Sequence, residues 1–276
     1  MARVTKASVY KQYGIVYDPK SGKLESPIGP VAELLKCGNS KIGKVWQLST
    51  LPTNGLVHTK SYGDVCGTCP CHCAGCYGTK GCYNFYSVRD AIARNTILVR
   101  EWMTWARSAL MAQMEWLTKD NTKSVRVRWH VTGDMFSLDY ALMLRDICNE
   151  YTIARFWTYT KSEFGHVFDD VANCNVVNSM IIGVGYNYGH IDYVLDTYCH
   201  LVDMGETPWI CPCGTRDDGT KCDACDGCVL HKYVLFGEHS TEYDITADPL
   251  YGLYTDIVRM QATHTAREVA DYIRAL

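Results

Sequence analysis

Ser124 to Phe136 reads SVRVRWHVTGDMF, and the fold class turns on this stretch. Val125, Val127 and Trp129 alternate with Arg126, Arg128 and His130. A period of two is what a half-buried strand requires. The alternation ends in Thr132-Gly133-Asp134, a polar, glycine-containing stop. A strand that closes in such a turn is a common start for a site in an α/β protein.

Outward from it the chain alternates. Downstream, Leu138 to Tyr151 reads as a helix, and Ala154 to Thr160 as a strand ending in Thr160-Lys161-Ser162. A short helix around Gly165 to Ala172 precedes an apolar strand, Val176 to Val184. Ile191 to Met204 is helical, Pro208 to Ile210 a brief strand, and Val229 to Phe236 a further one. Two helices close the chain, the last opening on Thr265-Ala266-Arg267-Glu268, a capping-box signature. Upstream, Ser87-Val88-Arg89-Asp90 resembles a capping box that opens one long helix through about Leu117. Lys44 to Thr50 reads as the strand before it, and residues 1–44 as a lead-in with turns at Asp18-Pro19, Ser21-Gly22 and Gly29-Pro30. Strand and helix thus alternate four or five times. The expected class is α/β, a full or partial (β/α) barrel with mostly parallel strands, an open doubly wound sheet being the other arrangement. The expected organisation is a lead-in at 1–44, a core at 45–240 and a helical tail at 241–276 packed on that core.

Two cysteine-rich knots interrupt the pattern. Cys66 to Cys82 reads CGTCPCHCAGCYGTKGC, and Cys211 to Cys228 reads CPCGTRDDGTKCDACDGC. They hold six and five of the fifteen cysteines, and Cys37, Cys148, Cys174 and Cys199 sit singly, as small buried hydrophobes would. Secreted disulfide frameworks belong to shorter chains that carry a signal peptide, so clustered thiols in this chain read as soft metal ligands. Cys69, Cys73 and Cys76 form C-x3-C-x2-C, a spacing that lets one loop hold three irons of a four-iron cluster and leave the fourth open. With Cys66 added, the same run makes a closed four-thiolate zinc site. In the second knot Cys222, Cys225 and Cys228, with Cys211 or Cys213 upstream, suit structural zinc or an auxiliary cluster.

Composition sets the outer limits. A chain of 276 residues with 47% apolar and 21% charged residues can bury a sizeable core. Its net charge of −3 argues against a protein whose main work is coating nucleic acid, although a local basic groove is compatible with it. No run approaches the roughly 18 apolar residues of a spanning helix, so no membrane partner is expected. Met1 to Lys20 lacks the apolar centre of a secretory signal, so the expected place is the cytosol.

The strand-end residues are the candidates for chemistry. Asp134, His130 and Lys161 are the candidate catalytic groups, Lys161 as the partner of a carboxylate or phosphate. Gly133 lets backbone and carboxylate approach a ligand closely. Thr132, Ser162 and Tyr77, which stand beside these groups or directly after Cys76, are candidate cofactor contacts together with Gly133 and Asp134. The plainer readings are that Asp134 caps the next helix and that His130 is a satisfied core histidine.

Several runs occur in a telling order: Gly38-Asn39-Ser40-Lys41-Ile42-Gly43-Lys44, the cysteine run ending in Cys76-Tyr77, His130 to Phe136, Tyr159-Thr160-Lys161-Ser162, and the late C-x2-C-x2-C. This combination resembles the phage family named after gene product eighty-eight, over roughly residues 35–240. The layout is also similar to radical S-adenosylmethionine enzymes. That resemblance implies a 4Fe-4S cluster on Cys69, Cys73 and Cys76, with Gly133 and Asp134 in place of the motif that binds the S-adenosylmethionine amine. The expected substrate is then a nucleotide, a nucleic-acid base or a small metabolite, in the host cytoplasm if the chain is phage-encoded. Two other readings stand beside it. One is a zinc-stabilised barrel that modifies bases, similar to guanine transglycosylases, with Asp134 as nucleophile or base. The other is a zinc-stapled binding module without catalysis.

Overall fold

The computed structural model describes residues 4–38, 43–53, 55–70, 77–79, 81–120, 125–181, 185–186, 188–212, 225–237 and 245–276. The chain divides into two compact units, one built from the N-terminal stretch with Lys44–Cys174 and one from Asn175–Leu276.

In the first unit, helix α1 (Lys6–Gln12) starts in a capping box between Thr5 and Ser8. An antiparallel meander follows, β1 (Tyr17–Asp18), β2 (Lys23–Ser26) and β3 (Gly29–Val31). The first turn falls at residues 19–22 as the sequence indicates, whereas Gly29-Pro30, expected as a turn, opens β3 opposite Ser26 and Glu25. β4 (Lys36–Cys37) pairs antiparallel with β5 (Val45–Gln47). The hairpin β6 (Leu56–Thr59) and β7 (Gly63–Cys66) leads into the first knot. After it come α2 (Tyr86–Glu101), α3 (Met103–Thr118), β8 (Arg126–Trp129), α4 (Leu138–Glu150) and β9 (Arg155–Thr160). β8 lies parallel to β5 on one side and to β9 on the other, with Val127 opposite Trp46 and Phe156. The alternation in β8 has its expected effect: Val127 and Trp129 are buried, and Trp129 stacks on Phe156 at 5.3 Å. Leu98, Val99, Ala106, Leu110 and Met114 of α2 and α3 add to the core. No sheet closes on itself among the described residues.

The long helix expected from Ser87 onward is two helices. Trp102, with φ −131° and ψ 44°, leaves helical geometry between them. The Ser87–Asp90 capping box does not form either. Phe85 occupies the cap with no side-chain bond, and the Asp90 carboxylate instead accepts from the Lys60 N–H at 2.9 Å and from the Ser61 hydroxyl in the β6–β7 turn.

Two of the four single cysteines are not isolated. Cys148 is buried and accepts from Trp129 Nε1–H at 3.4 Å. Burial pushes its thiol well up, and a hydrogen bond with the buried Cys174 adds to the effect. Cys37, expected inside, is exposed on β4.

In the second unit, β10 (Cys174–Asn178) begins at the boundary, followed by β11 (Met180–Ile181), β12 (Gly185–Tyr186) and β13 (Tyr188–Gly189). α5 (Ile191–Asp203), β14 (Trp209–Ile210), α6 (Gly227–Leu230), β15 (Val234–Gly237), α7 (Tyr251–Met260) and α8 (Ala266–Arg274) complete it. β15 runs parallel between β13 and β14. Ile191, Tyr198, Leu201, Leu235, Tyr254 and Val269 form one apolar cluster, so the two tail helices pack on α5 and β15. The Gln261 side chain takes the place of a strand neighbour, accepting from the Ile210 N–H at 2.9 Å and donating to its carbonyl at 2.6 Å. The Thr265–Glu268 capping box opens α8 as the sequence indicates.

Candidate functional site

Parallel pairing of β5, β8 and β9 brings three strand ends together, Leu48–Thr50, His130–Asp134 and Lys161–Ser162. The pairing continues past β5 and β8, with Val131 N–H donating to Leu48 O at 3.0 Å and Thr50 N–H to Thr132 O at 3.0 Å. The Thr132 hydroxyl donates back to Thr50 O at 2.8 Å. Helix α2 holds the same edge. Thr96 Oγ1 accepts from Leu51 N–H at 2.8 Å, and Asn95 Nδ2 donates to Ser49 O at 3.1 Å.

Gly133 has φ +80°, and a Cβ there would lie 1.9 Å from Thr50 Oγ1 and 2.5 Å from Thr68 Oγ1. Only glycine fits. The next residue, Asp134, is fully buried. Its Oδ1 accepts from the Thr160 hydroxyl at 2.6 Å and from Met135 N–H at 2.8 Å, and its Oδ2 from Lys161 N–H at 2.8 Å. Burial nevertheless pushes its pKa up to about 6. Asp134 therefore ties β8 to β9 and does not cap α4. Ser137 does that, accepting from Tyr140 N–H at 3.3 Å.

His130 sits in left-handed backbone, at φ 57°, with both ring nitrogens engaged inside the protein. Nε2 meets the Tyr140 hydroxyl at 2.9 Å and Nδ1 meets Thr158 Oγ1 at 3.4 Å. Burial, with Arg128 nearby, lowers its pKa to about 3, so the ring is neutral. Lys161 is brought to the site by its backbone N–H on Asp134. Ser162 caps the short helix at Glu163–Phe168, its hydroxyl accepting from Phe164 N–H at 3.3 Å.

The first knot begins on these strand ends. Thr68, the residue before Cys69, accepts from the Asp134 backbone N–H at 3.0 Å. Its own N–H and its hydroxyl both bond Leu51 O, at 2.9 and 3.1 Å. Cys69 N–H donates to Thr53 O at 3.1 Å, and Arg100 Nη1 donates to Gly67 O at 3.0 Å. On the far side of the knot a Cβ on Gly78 would lie 3.1 Å from both Pro52 Cβ and Thr132 Cγ2. The residues entering and leaving the run are thus seated on the same strand ends. A cleft of about 350 Å3 opens beside Cys69, lined also by Leu51, Pro52, Tyr83, Arg89 and Ile92.

Of the sequence candidates, Cys66, Cys69, Thr132, Gly133, Asp134 and Lys161 therefore belong to one neighbourhood of the first unit. Cys73, Cys76 and the side chain of Tyr77 lie outside the described residues, as do Cys213 and Cys222. Among the described residues no three His, Cys, Asp or Glu side chains converge as a metal-ligand group, and no helix is long and apolar enough to cross a membrane. Sequence reasoning missed Thr50, Thr68 and Arg100. The Ser-Thr-Leu and Gly-Thr-Cys pieces around the two threonines carry no signature on their own.

In the second unit, Cys211 is buried and its N–H donates to Leu235 O at 2.8 Å. Cys225 and Cys228 flank the start of α6. Asn175 Nδ2 holds the carbonyls of Cys228 and His231, at 2.9 and 2.8 Å, and the His231 ring stacks on Trp209 at 5.0 Å.

The model of the phage family Gene product 88 matches the chain over residues 33–181. That is more than half its length, and the chain belongs to this family. The matched span takes in the first knot and all three strand ends and stops before the second knot, short of the wider span expected from the motifs. No curated protein and no solved structure matched.

Proposed function

We propose that this member of the Gene product 88 family is an iron–sulfur enzyme of the radical S-adenosylmethionine type, acting on a nucleotide, a nucleic-acid base or a small metabolite from a full or partial barrel scaffold. The observation that supports it is the bond from the Asp134 N–H to Thr68. It seats the entry to the first cysteine knot, Gly67 to Cys69, on the carboxyl ends of parallel strands. Sites of α/β enzymes are built there.

The residues fit such a centre. Thiolates are the donors that iron–sulfur clusters take, and Cys69, Cys73 and Cys76 would hold it. A carboxylate offers about four lone-pair sites, and Asp134 uses three of them inside the fold. The remaining site, on Oδ2, is the one that would accept a ligand amine beside Gly133. When bound, the cluster would supply the electron that cleaves S-adenosylmethionine. The chain's own part is to seat the thiolates, offer that acceptor and place Lys161 at the same edge. His130 would fix the turn as a neutral ring. The cleft beside Cys69 is where a ligand would meet the centre. The second knot, in its own unit, is read as closed and structural, with zinc or an auxiliary cluster on Cys211, Cys222, Cys225 and Cys228.

The test is reductive cleavage of S-adenosylmethionine by protein reconstituted with iron and sulfide without oxygen. The expected result is 5′-deoxyadenosine from the wild type and none from Cys69→Ala. An intact cluster with no cleavage would rule the activity out.

One observation favours a second reading, the zinc-stapled binding module. Thr50, Thr68, Thr132, Asp134 and Thr160 are all buried and bonded to one another or to nearby backbone, which closes the strand ends themselves. Zinc as the metal retained in the first knot, with no redox chemistry, would select it.

A further inference from the structure

We infer that Thr68, with Arg100 beside it, is a positioning residue that sets the first thiolates of the first knot before any metal arrives. This rests on the reading that the first knot holds a metal or cluster, and it goes further by assigning the residues that preorganise it.

Thr68 is 1% exposed, and its hydroxyl is saturated. A hydroxyl carries one donor and two acceptor sites. The proton goes to Leu51 O at 3.1 Å, and one lone pair accepts from Asp134 N–H at 3.0 Å. The other accepts from the Thr50 hydroxyl at 2.8 Å, the only direction left once the Thr68 proton is committed. One side chain therefore joins the β5 extension, the β8 turn and the entry to the knot. Gly133 makes room for it, since any Cβ there would strike both threonine oxygens.

Two residues either side of Thr68 extend the clasp. Gly67 passes so close to Pro52 and Thr53 that a Cβ would lie 2.2 Å from each of their carbonyl oxygens. Arg100 donates to the Gly67 carbonyl at 3.0 Å, and its guanidinium lies over the Phe136 ring at 4.8 Å, two residues past Asp134. Cys69 follows directly, its own N–H held by Thr53 O. The backbone at the start of the knot has three independent anchors and little freedom to lose when thiolates are collected. Groups bonded directly to metal ligands typically change metal affinity by about 10- to 100-fold when they are removed, and Thr68 and Arg100, which hold the backbone next to Cys69, are expected at the lower end of that range.

The experiment uses the full chain, loaded with iron and sulfide or with zinc alone, and follows metal loss to a competing chelator. First-knot metal is defined as the fraction that Cys73→Ser removes. Thr68→Val, of nearly the same shape, should release that fraction about 10-fold faster or more, while Thr68→Ser should behave as wild type. Thr118→Val is the control for lost stability alone, because its buried hydroxyl bonds only Met114 O within α3. It should leave release unchanged. Arg100→Gln, at an exposed helix position, should show the same signature as Thr68→Val if the latter does not fold. Release unchanged in Thr68→Val, or raised equally in Thr118→Val, would overturn the inference and leave the proposed metal site standing. If Cys73→Ser removes no metal, the proposed site itself falls and takes this inference with it.

Discussion

At the residue scale the strand-end turn shows how few side chains its geometry admits. At Gly133, φ +80° and the two threonine oxygens exclude a Cβ together, so Gly133→Ala should cost about 2 kcal/mol or more. Urea unfolding checks this, and a loss within 0.5 kcal/mol, the ordinary surface range of about that size, would contradict it. The two buried ionisable groups act on stability with opposite sign. His130 has its pKa lowered from 6.5 to about 3, so between those values the unfolded chain binds a proton that the fold refuses, and stability falls as pH drops through that window. Asp134 has its pKa raised from 3.8 to about 6, so the fold holds the extra proton, and its contribution is lost as pH rises through that range. His130→Asn, which tolerates the left-handed backbone, should flatten the acid-side loss, and Asp134→Asn should steepen it. Urea midpoints between pH 4 and 7 that change in parallel for both variants would count against these assignments. The identity of the turn was readable from Thr132-Gly133-Asp134. Its partners Thr50 and Thr68 were not, because a threonine becomes a clasp only through contacts 18 and 66 residues away in sequence.

At the element scale, two similar sequence signals had different outcomes. Thr265–Glu268 forms its capping box because both partners lie within one turn and nothing else competes for them. Ser87–Asp90 has the same form, yet the Asp90 carboxylate is taken by the Lys60 N–H and the Ser61 hydroxyl of a hairpin that the mixed run 56–66 does not announce. Phe85 is left at the cap of α2, extended at φ −71° and ψ 131°, 65% exposed and making no cap bond. Phe85→Ser should therefore stabilise the protein by about 1 kcal/mol. Thermal or urea unfolding decides it, and a destabilised variant would mean that Phe85 packs on something that matters. The period-two reading of β8, by contrast, was legible because Val127 and Trp129 needed only their own alternation.

At the scale of the whole molecule, the family match and the strand-end geometry coincide over residues 33–181, while the second knot and the tail helices belong to a separate compact unit. The separation was not legible. The strand–helix alternation continues through it, and periodicity does not say which core a strand joins. The gathering of Gly133, Asp134 and Lys161 was legible in outline, since they lie where parallel strands end. Cys66 and Cys69 reach them through the antiparallel β6–β7 hairpin and Thr68, which the sequence did not announce. The central claim is that the first knot holds an inorganic centre at that edge. It is tested most directly by iron, sulfide and zinc content with visible absorbance, on protein prepared without oxygen, wild type against Cys73→Ala. Iron and sulfide in the wild type, with a brown absorbance that the variant loses, is the predicted result. Identical metal content in the two proteins would contradict it.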